Sequence, residues 1–289
     1  MYNKKMYKKI ILSILDTLYT LNSKKLIPED HFIELIKNKK SIGRIGEGEI
    51  RLIKGENIEF NRFSEVLSKK LKNVKSDDKY ILCLPSTIFL KCNKMNLKKE
   101  SFSFWVINKF KYHKNWKFFL KTNGEIGDAL TTRFFIDYKS PEKANRLVPK
   151  LKQIWNNQHI IFIEGYYTRL GFNNDLFDNA NSIKRILCPP VNAFDKYDEI
   201  LNYIIQNISK DYLLIIALGP TATVLTYDLS RLGYWALDLG HIDIEYEWFK
   251  LGATSKVAIS NKYVNEAVGG KISTTIYDDK FTNQILKVF

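Results

Sequence analysis

Residues 218–249 read LGPTATVLTYDLSRLGYWALDLGHIDIEYEWF, and this stretch decides the fold class. It continues an apolar run from Tyr212 to Leu218 and turns sharply at Gly219-Pro220. A helical pattern follows from Thr221 to Leu232, and a second apolar run spans Trp235 to Leu239. Strand, tight turn, helix and strand form one unit of a parallel sheet, whose short β-branched strands are covered by helices on both faces.

Upstream, the same grammar repeats. Strands are expected at His159–Glu164 and Ile183–Cys188, with a helix over Phe194–Ile208. Earlier still, a strand at Ser41–Ile45 runs into Gly46-Glu47-Gly48-Glu49, a helix follows at Ser64–Val74, and a strand at Tyr80–Leu84 ends on Pro85. The alternation predicts an α/β fold with a Rossmann-like, mostly parallel sheet and flanking helices. With no internal repeat and no low-complexity linker, residues 1–289 read as one domain. Residues 1–40 form an N-terminal helical extension, including a short helix after Pro28, and residues 41–289 form the core.

The 289 residues, 45% apolar and 13% aromatic, are enough for a substantial core. No apolar stretch approaches the roughly 20 residues of a membrane span. The N-terminus has a basic head and an apolar body, but Asp16 interrupts it and no small-residue cleavage site follows. The pattern therefore fits an amphipathic helix with Ile10, Ile11, Ile14, Leu15 and Leu18 on one face better than a leader. Cys83, Cys92 and Cys188 show no CxxC spacing and indicate neither a disulfide framework nor a zinc site, so a reducing cytoplasm is the expected compartment.

The net charge of +14 admits three partners: nucleic acid, an anionic membrane surface, or phosphorylated small molecules. A general bias toward lysine, asparagine and isoleucine also accounts for part of it. The basic aromatic run KYHKNWKFFLK at residues 111–121 suits phosphate contact and base stacking. It equally suits a helix with a buried apolar face and a solvated lysine face, the reading we favour, so nucleic acid is not an expected partner.

In parallel α/β sheets, ligands sit beyond the carboxyl ends of the strands, so the residues there carry the functional reading. Gly219, Pro220, Thr221 and Thr223 form either a phosphate-binding helix start or an ordinary threonine-capped turn. In the run from His241 to Trp248, His241, Asp243, Glu245 and Glu247 share a face if extended. If helical, they pair at i,i+4. Crowded carboxylates raise a pKa or require a cation, which makes the cluster a candidate general base, metal site or both. Glu47 and Glu49, spaced i,i+2 in a glycine-flanked turn, suit one hard cation, with Arg44 beside them for phosphate. The loop from Glu164 to Asp175 offers an acid, Arg169 and the Asn174-Asp175 pair for hydroxyl recognition, and Tyr166 and Tyr167 for stacking.

Taken in order, RIGEGE at 44–49, IEGYYTRLGFNNDLFDNANSIKRILCPPVNAFDKYDEIL at 163–201 and the opening stretch resemble the GT-D-fold glycosyltransferases of bacterial glycan assembly. The resemblance implies a Rossmann-like nucleotide-sugar-binding domain and a divalent metal held through a DxE motif. It also implies transfer of a sugar, often glucose from UDP-glucose, to a growing glycan. Here the motif reads Glu47-Gly48-Glu49, which keeps both charges but lengthens the first side chain by one methylene. On this reading Glu47 and Glu49 hold Mn²⁺, with Mg²⁺ as the alternative. The donor is bound by Arg44, Gly46, Arg133, Glu164, Arg169, Asn174, Asp175, Gly219, Pro220, Thr221 and Thr223. Asp243, Glu245 and His241 supply the catalytic base. The acceptor is a lipid-linked or protein-linked glycan, and the N-terminal helix and basic run are expected to rest on an anionic membrane at the inner face of the cell. A non-catalytic nucleotide-binding relative, in which the Glu-for-Asp change has ended metal chemistry, is the competing reading.

Overall fold

The computed structural model describes residues 2–271 and 278–289. Eight parallel strands form one sheet in the order β3-β2-β1-β7-β6-β4-β5-β8. They are β1 (Ser41–Arg44), β2 (Tyr80–Leu84), β3 (Gly127–Asp128), β4 (His159–Gly165), β5 (Ser182–Cys188), β6 (Leu213–Ala217), β7 (Trp235–Asp238) and β8 (Ile285–Val288). The helices are α1 (Tyr2–Tyr19), α2 (Glu29–Lys37), α3 (Glu47–Ile53), α4 (Glu65–Asn73), α5 (Lys99–Lys111), α6 (His113–Thr122), α7 (Glu142–Ile154), α8 (Tyr197–Asn207), α9 (Pro220–Arg231), α10 (Ile242–Lys250) and α11 (Asp279–Thr282).

The strand period of two divides the core. Tyr80, Leu82, Leu84, Leu214 and Ile216 face a layer with α3, α4, α6, α8 and α9. Ile81, Cys83, Leu213 and Ile215 face the other layer, with α2, α7 and α10. All six runs expected as strands are strands, because apolar residues on both faces can be satisfied only between two helical layers. β3 is two residues long and too short to show a period, while the ILKV of β8 follows a segment with no helical pattern to announce it.

One local expectation changes, and the favoured reading of the basic aromatic run as a helix with a buried apolar face holds. Gly46-Glu47-Gly48-Glu49 is not a turn: Gly46 precedes α3, and Glu47 and Glu49 occupy its first turn. The basic aromatic run is α6 and the end of α5, with Tyr112, Trp116 and Phe119 buried in the core, so its aromatic rings serve packing. In α1 the inward face is built around Asp16, which pairs with Lys109 at 2.9 Å, while Ile11, Ile14 and Leu18 face outward. The three cysteines are free and buried. No described helix is long and apolar enough to cross a membrane.

Candidate active site

The chain leaves β1 toward β2 and leaves β7 toward the opposite side of the sheet, so a crevice opens at their carboxyl ends. Arg44 ends β1 and Asp238 ends β7. Asp238 accepts from Arg44 Nε at 3.1 Å, from Nη2 at 2.8 Å and from the Arg44 backbone N–H at 3.2 Å. Arg44 Nη1 donates to Thr132 Oγ1 at 3.1 Å, which brings in the turn after β3. Gly240 adopts φ +48°, and a Cβ there would stand 1.8 Å from Arg44 Nη2; the guanidinium lies against bare backbone.

α3 begins three residues beyond Arg44. Glu49 turns back to accept the Gly46 N–H at 2.7 Å, closing the first helical turn. Burial and, next among the raising influences, the neighbouring Asp238 carboxylate push Glu49 up to about 7, against the pull of the Gly46 N–H. Glu47 lies 3.5 Å from Arg51 one turn along. Residues at i,i+2 on a helix do not share a face, so the two glutamates diverge from the joint chelate expected of a turn. Among the described residues no group of three or more His, Cys, Asp or Glu is arranged to hold a metal. Glu47 and Glu49 alone would leave most of a hard cation's shell to diphosphate oxygens and water. The raised pKa of Glu49 reflects burial that Arg44 and the backbone N–H groups offset only in part.

Across the crevice stands the N-terminus of α9. Gly219 adopts φ +54°, and the Phe60 ring lies close enough that a Cβ there would meet it at 2.7 Å. No side chain caps the first turn, which starts with Pro220. The Thr221 hydroxyl is buried without a hydrogen-bond partner among the described residues. Thr223 Oγ1 donates to the Arg44 carbonyl at 2.7 Å and ties α9 to β1. Pro220 has no N–H and the Ala222 N–H donates to the Gly219 carbonyl at 2.9 Å, so Thr221, through its N–H and its hydroxyl, is what this helix start offers an anion.

The HIDIEYE run is helical. His241 precedes α10, and Asp243 and Glu245 lie in its first turn, where the helix dipole favours acids. Both are fully enclosed. Asp243 accepts from Lys262 Nζ at 2.6 Å, the Gly171 N–H at 2.9 Å and Asn174 at 2.8 Å. Glu247 shares the same Lys262 and Asn174, each at 2.7 Å. Glu245 accepts the Phe135 and Ile136 N–H groups at 2.9 and 3.1 Å and lies 3.9 Å from Arg133. Burial raises its pKa against the pull of Arg133.

His241 is the one of the three that reaches solvent, with its side chain 32% exposed, 3.8 Å from Glu266. Burial, with Arg133 and Arg44 nearby, pushes its pKa down to about 4, so it is neutral at pH 7. Arg133 grips Glu266 with both ends of its fork at 2.7 and 2.9 Å. Although burial opposes it, that grip holds Glu266 well below the usual carboxylate range.

The loop after β4 lies apart from the β1/β7 crevice in its bonding. Glu164 is buried against Arg185 and accepts the Leu170 N–H at 2.6 Å. Arg169 is buried and bonds the Asn261 carbonyl. Asp175 accepts from the Tyr246 hydroxyl at 2.8 Å and Lys152 at 3.0 Å. These residues stitch loop, α7, α10 and the 251–271 segment together. The structure thus gathers Arg44, Gly46, Glu49, Gly219, Thr221, Thr223 and His241 around one crevice, with Glu47 on its rim. It links Arg133 and Glu245 beneath His241, and it places Glu164, Arg169, Asn174, Asp175 and Asp243 in supporting contacts. Sequence reading missed Asp238, Thr132, Glu266 and Lys262. Asp238 alone had a cue, as an acid ending an apolar strand.

The assembly is that of a Rossmann-like α/β domain with its polar site at the carboxyl ends of its central strands. Residues 42–267 match the family described as Glycosyltransferase GT-D fold, and the chain belongs to that family. It is 35% identical over 259 residues to Glycosyltransferase GlyD of Streptococcus pneumoniae serotype 4, covering 87% of this chain and 31% of that protein. It is likewise 35% identical over 235 residues to Probable glycosyl transferase Gly of Streptococcus gordonii, covering 80% and 34%. The chain spans about a third of the length of these two relatives. Among solved structures, one reported as the highly conserved domain of unknown function 1792 with a distinct glycosyltransferase fold superposes with a TM-score of 0.83. Its identity is 34%, over 95% of this chain and 98% of that one. A glycosyltransferase structure from Streptococcus sanguinis gives the same TM-score at 32% identity, over 91% and 98%.

Proposed function

We propose that the domain transfers a hexose such as glucose from a UDP-sugar to a growing glycan in bacterial surface polysaccharide or glycoprotein synthesis, at the inner face of the cell membrane. The observation that carries this reading is the pairing, across one crevice, of the uncapped start of α9 with the under-compensated Glu49. One awaits anionic oxygens and the other awaits a cation, which is the pairing a metal-bound diphosphate satisfies.

In this reading the N–H and hydroxyl of Thr221, at the start of α9, bind diphosphate oxygens. Glu49, with Glu47 at the rim, holds a divalent cation, Mn²⁺ with Mg²⁺ as the alternative, which when bound offsets the charge gathering on the leaving diphosphate. Arg44, held by Asp238 and Thr132, presents fixed positive charge from the floor of the crevice. His241, the one of the three expected catalytic residues that reaches solvent, accepts the proton of the acceptor hydroxyl. Arg133 and Glu266 fix its surroundings, while Asp243 and Glu245 position α10 rather than touch substrate. A cavity of about 320 Å³ lined by Glu29, Asp128 and Thr131 adjoins Thr132 and supplies hydroxyl-binding groups for the acceptor glycan.

Calorimetric titration with UDP, with and without Mn²⁺ and then with chelator, tests the pairing. Binding that needs the metal is the expected result. Metal-independent UDP binding would remove Glu49 from the scheme, and metal-linked UDP binding without sugar transfer would favour the non-catalytic relative.

A further inference from the structure

The positive charge of this protein is not spread over it. Residues 1–25 and 91–121 carry fifteen lysines against two carboxylates, Asp16 and Glu100, which amounts to +13 of the chain's +14. The other 233 residues hold thirty basic and twenty-nine acidic side chains and are close to neutral. A uniform lysine bias does not produce that division. Some local requirement concentrates the charge.

The two segments meet in space. Asp16 of α1 receives Lys109 of α5, and the Tyr19 ring stands edge-on to Phe110 and His113 at 5.4 and 4.9 Å. This contact uses up the inward face of α1. On its outward face Ile11, Ile14 and Leu18, at i, i+3 and i+7, are 55, 55 and 65% exposed. On the outward face of α5, Phe104 and Ile107 are 45 and 60% exposed. Lys91, Lys94, Lys99, Lys114, Lys117 and Lys121 are exposed around them, and none has a carboxylate in salt-bridge range among the described residues.

We propose that the face formed by α1, α5 and α6 docks on an anionic lipid surface. Water is a poor solvent for an i, i+3, i+7 stripe of isoleucine and leucine, and a protein core has not taken it up. A bilayer interface accepts such a stripe at the level of the headgroups, while lysines lying on either side reach the lipid phosphates. Each lysine within a Debye length of that surface adds attraction, so a cluster of unpaired lysines beside an apolar helix face is complementary to negative headgroups in both charge and polarity. The inference does not depend on the transfer reaction, since none of these residues belongs to the crevice.

Co-sedimentation with sucrose-loaded vesicles decides it. Vesicles containing a quarter phosphatidylglycerol should retain the protein at low salt, about tenfold more strongly than pure phosphatidylcholine, and should release it at high salt. The variant carrying Ile11→Ser, Ile14→Ser and Leu18→Ser should lose at least about tenfold in partitioning. It should keep its melting temperature and its UDP-sugar binding, because these side chains are exposed and distant from the crevice. Lys114→Glu with Lys117→Glu should weaken retention on anionic vesicles alone. Full retention of the triple-serine variant, or equal retention on neutral vesicles, would overturn the proposal. So would salt-sensitive RNA retention with no vesicle binding, or a lipid-free dimer that the triple variant dissolves.

Discussion

Two clusters of carboxylates flank the crevice, and they are built in opposite ways. On α10, Asp243 and Glu247 are answered from within the protein by Lys262 and Asn174, while Glu245 takes two backbone N–H groups on one oxygen with Arg133 near, its other oxygen having no hydrogen-bond partner among the described residues. On α3, Glu49 has backbone N–H groups and the Arg44 charge against its burial and an unfavourable neighbour in Asp238, and Glu47 has a loose contact with Arg51. Sequence alone makes the α10 cluster the more conspicuous, with four chemically interesting residues in seven positions. The structure reverses the order of interest, because an acid that is fully paired holds the fold, whereas one that is incompletely paired is ready for a ligand.

The sharpest way to break this contrast is Lys262→Met. Removing the cation leaves Asp243 buried and uncompensated, and unfolding free energy measured in denaturant should fall by about 3–5 kcal/mol. A loss near zero would place Asp243 among the ligand-ready acids instead.

The mirror experiment is Glu49→Gln. Metal-linked nucleotide binding and sugar transfer should drop about a hundredfold while the fold stays intact. Its pH signature separates it from any α10 variant. Glu49 titrates near 7 in the folded chain against an ordinary 4.5, so the native state holds the extra proton and stability declines as pH rises from about 4.5 to 7. Melting curves of the glutamine variant should lack that decline. Glu266 contributes with the opposite sign: its depressed pKa gives stability that is present above the usual carboxylate range and lost as pH falls below it.

Gly240→Ala tests whether Arg44 is clamped as tightly as its bonds indicate. A Cβ at φ +48°, aimed at the guanidinium, should cost about 2 kcal/mol, read as a lowered midpoint in denaturant. The smallest effect is expected of Thr221→Val. It removes an unpartnered buried hydroxyl, so stability should hold or rise slightly, while UDP affinity by calorimetry should fall by about fivefold to tenfold. Unchanged affinity would leave the α9 site to the Thr221 N–H alone.

How far the sequence discloses this arrangement depends on what kind of order each part uses. β1, β2, β4, β5, β6 and β7 are legible because a strand buried on both faces must be continuously apolar, and the Gly219-Pro220 turn is legible because its backbone demands those residues. Glu47 and Glu49 stand out as acids beside glycines, yet their helix does not, since Gly46 at its cap and Gly48 in its first turn weaken any helical pattern. Lys262 and Glu266 carry no local cue at all. Their partners Asp243 and Arg133 lie 19 and 133 residues away, and only the folded chain brings each pair together.

The 251–271 segment is held by Lys262 on Asp243, by Glu266 on Arg133, by Trp248 Nε1 on the Val257 carbonyl at 2.9 Å and by the Tyr263 N–H on the Tyr167 carbonyl at 2.9 Å. Its links to the body therefore run mainly through side chains rather than through the exposed peptide between Gly252 and Lys256. A protease that nicks that exposed stretch would sever the chain without detaching the piece, so the cut protein would migrate as one particle in native gels and as two fragments only once denatured.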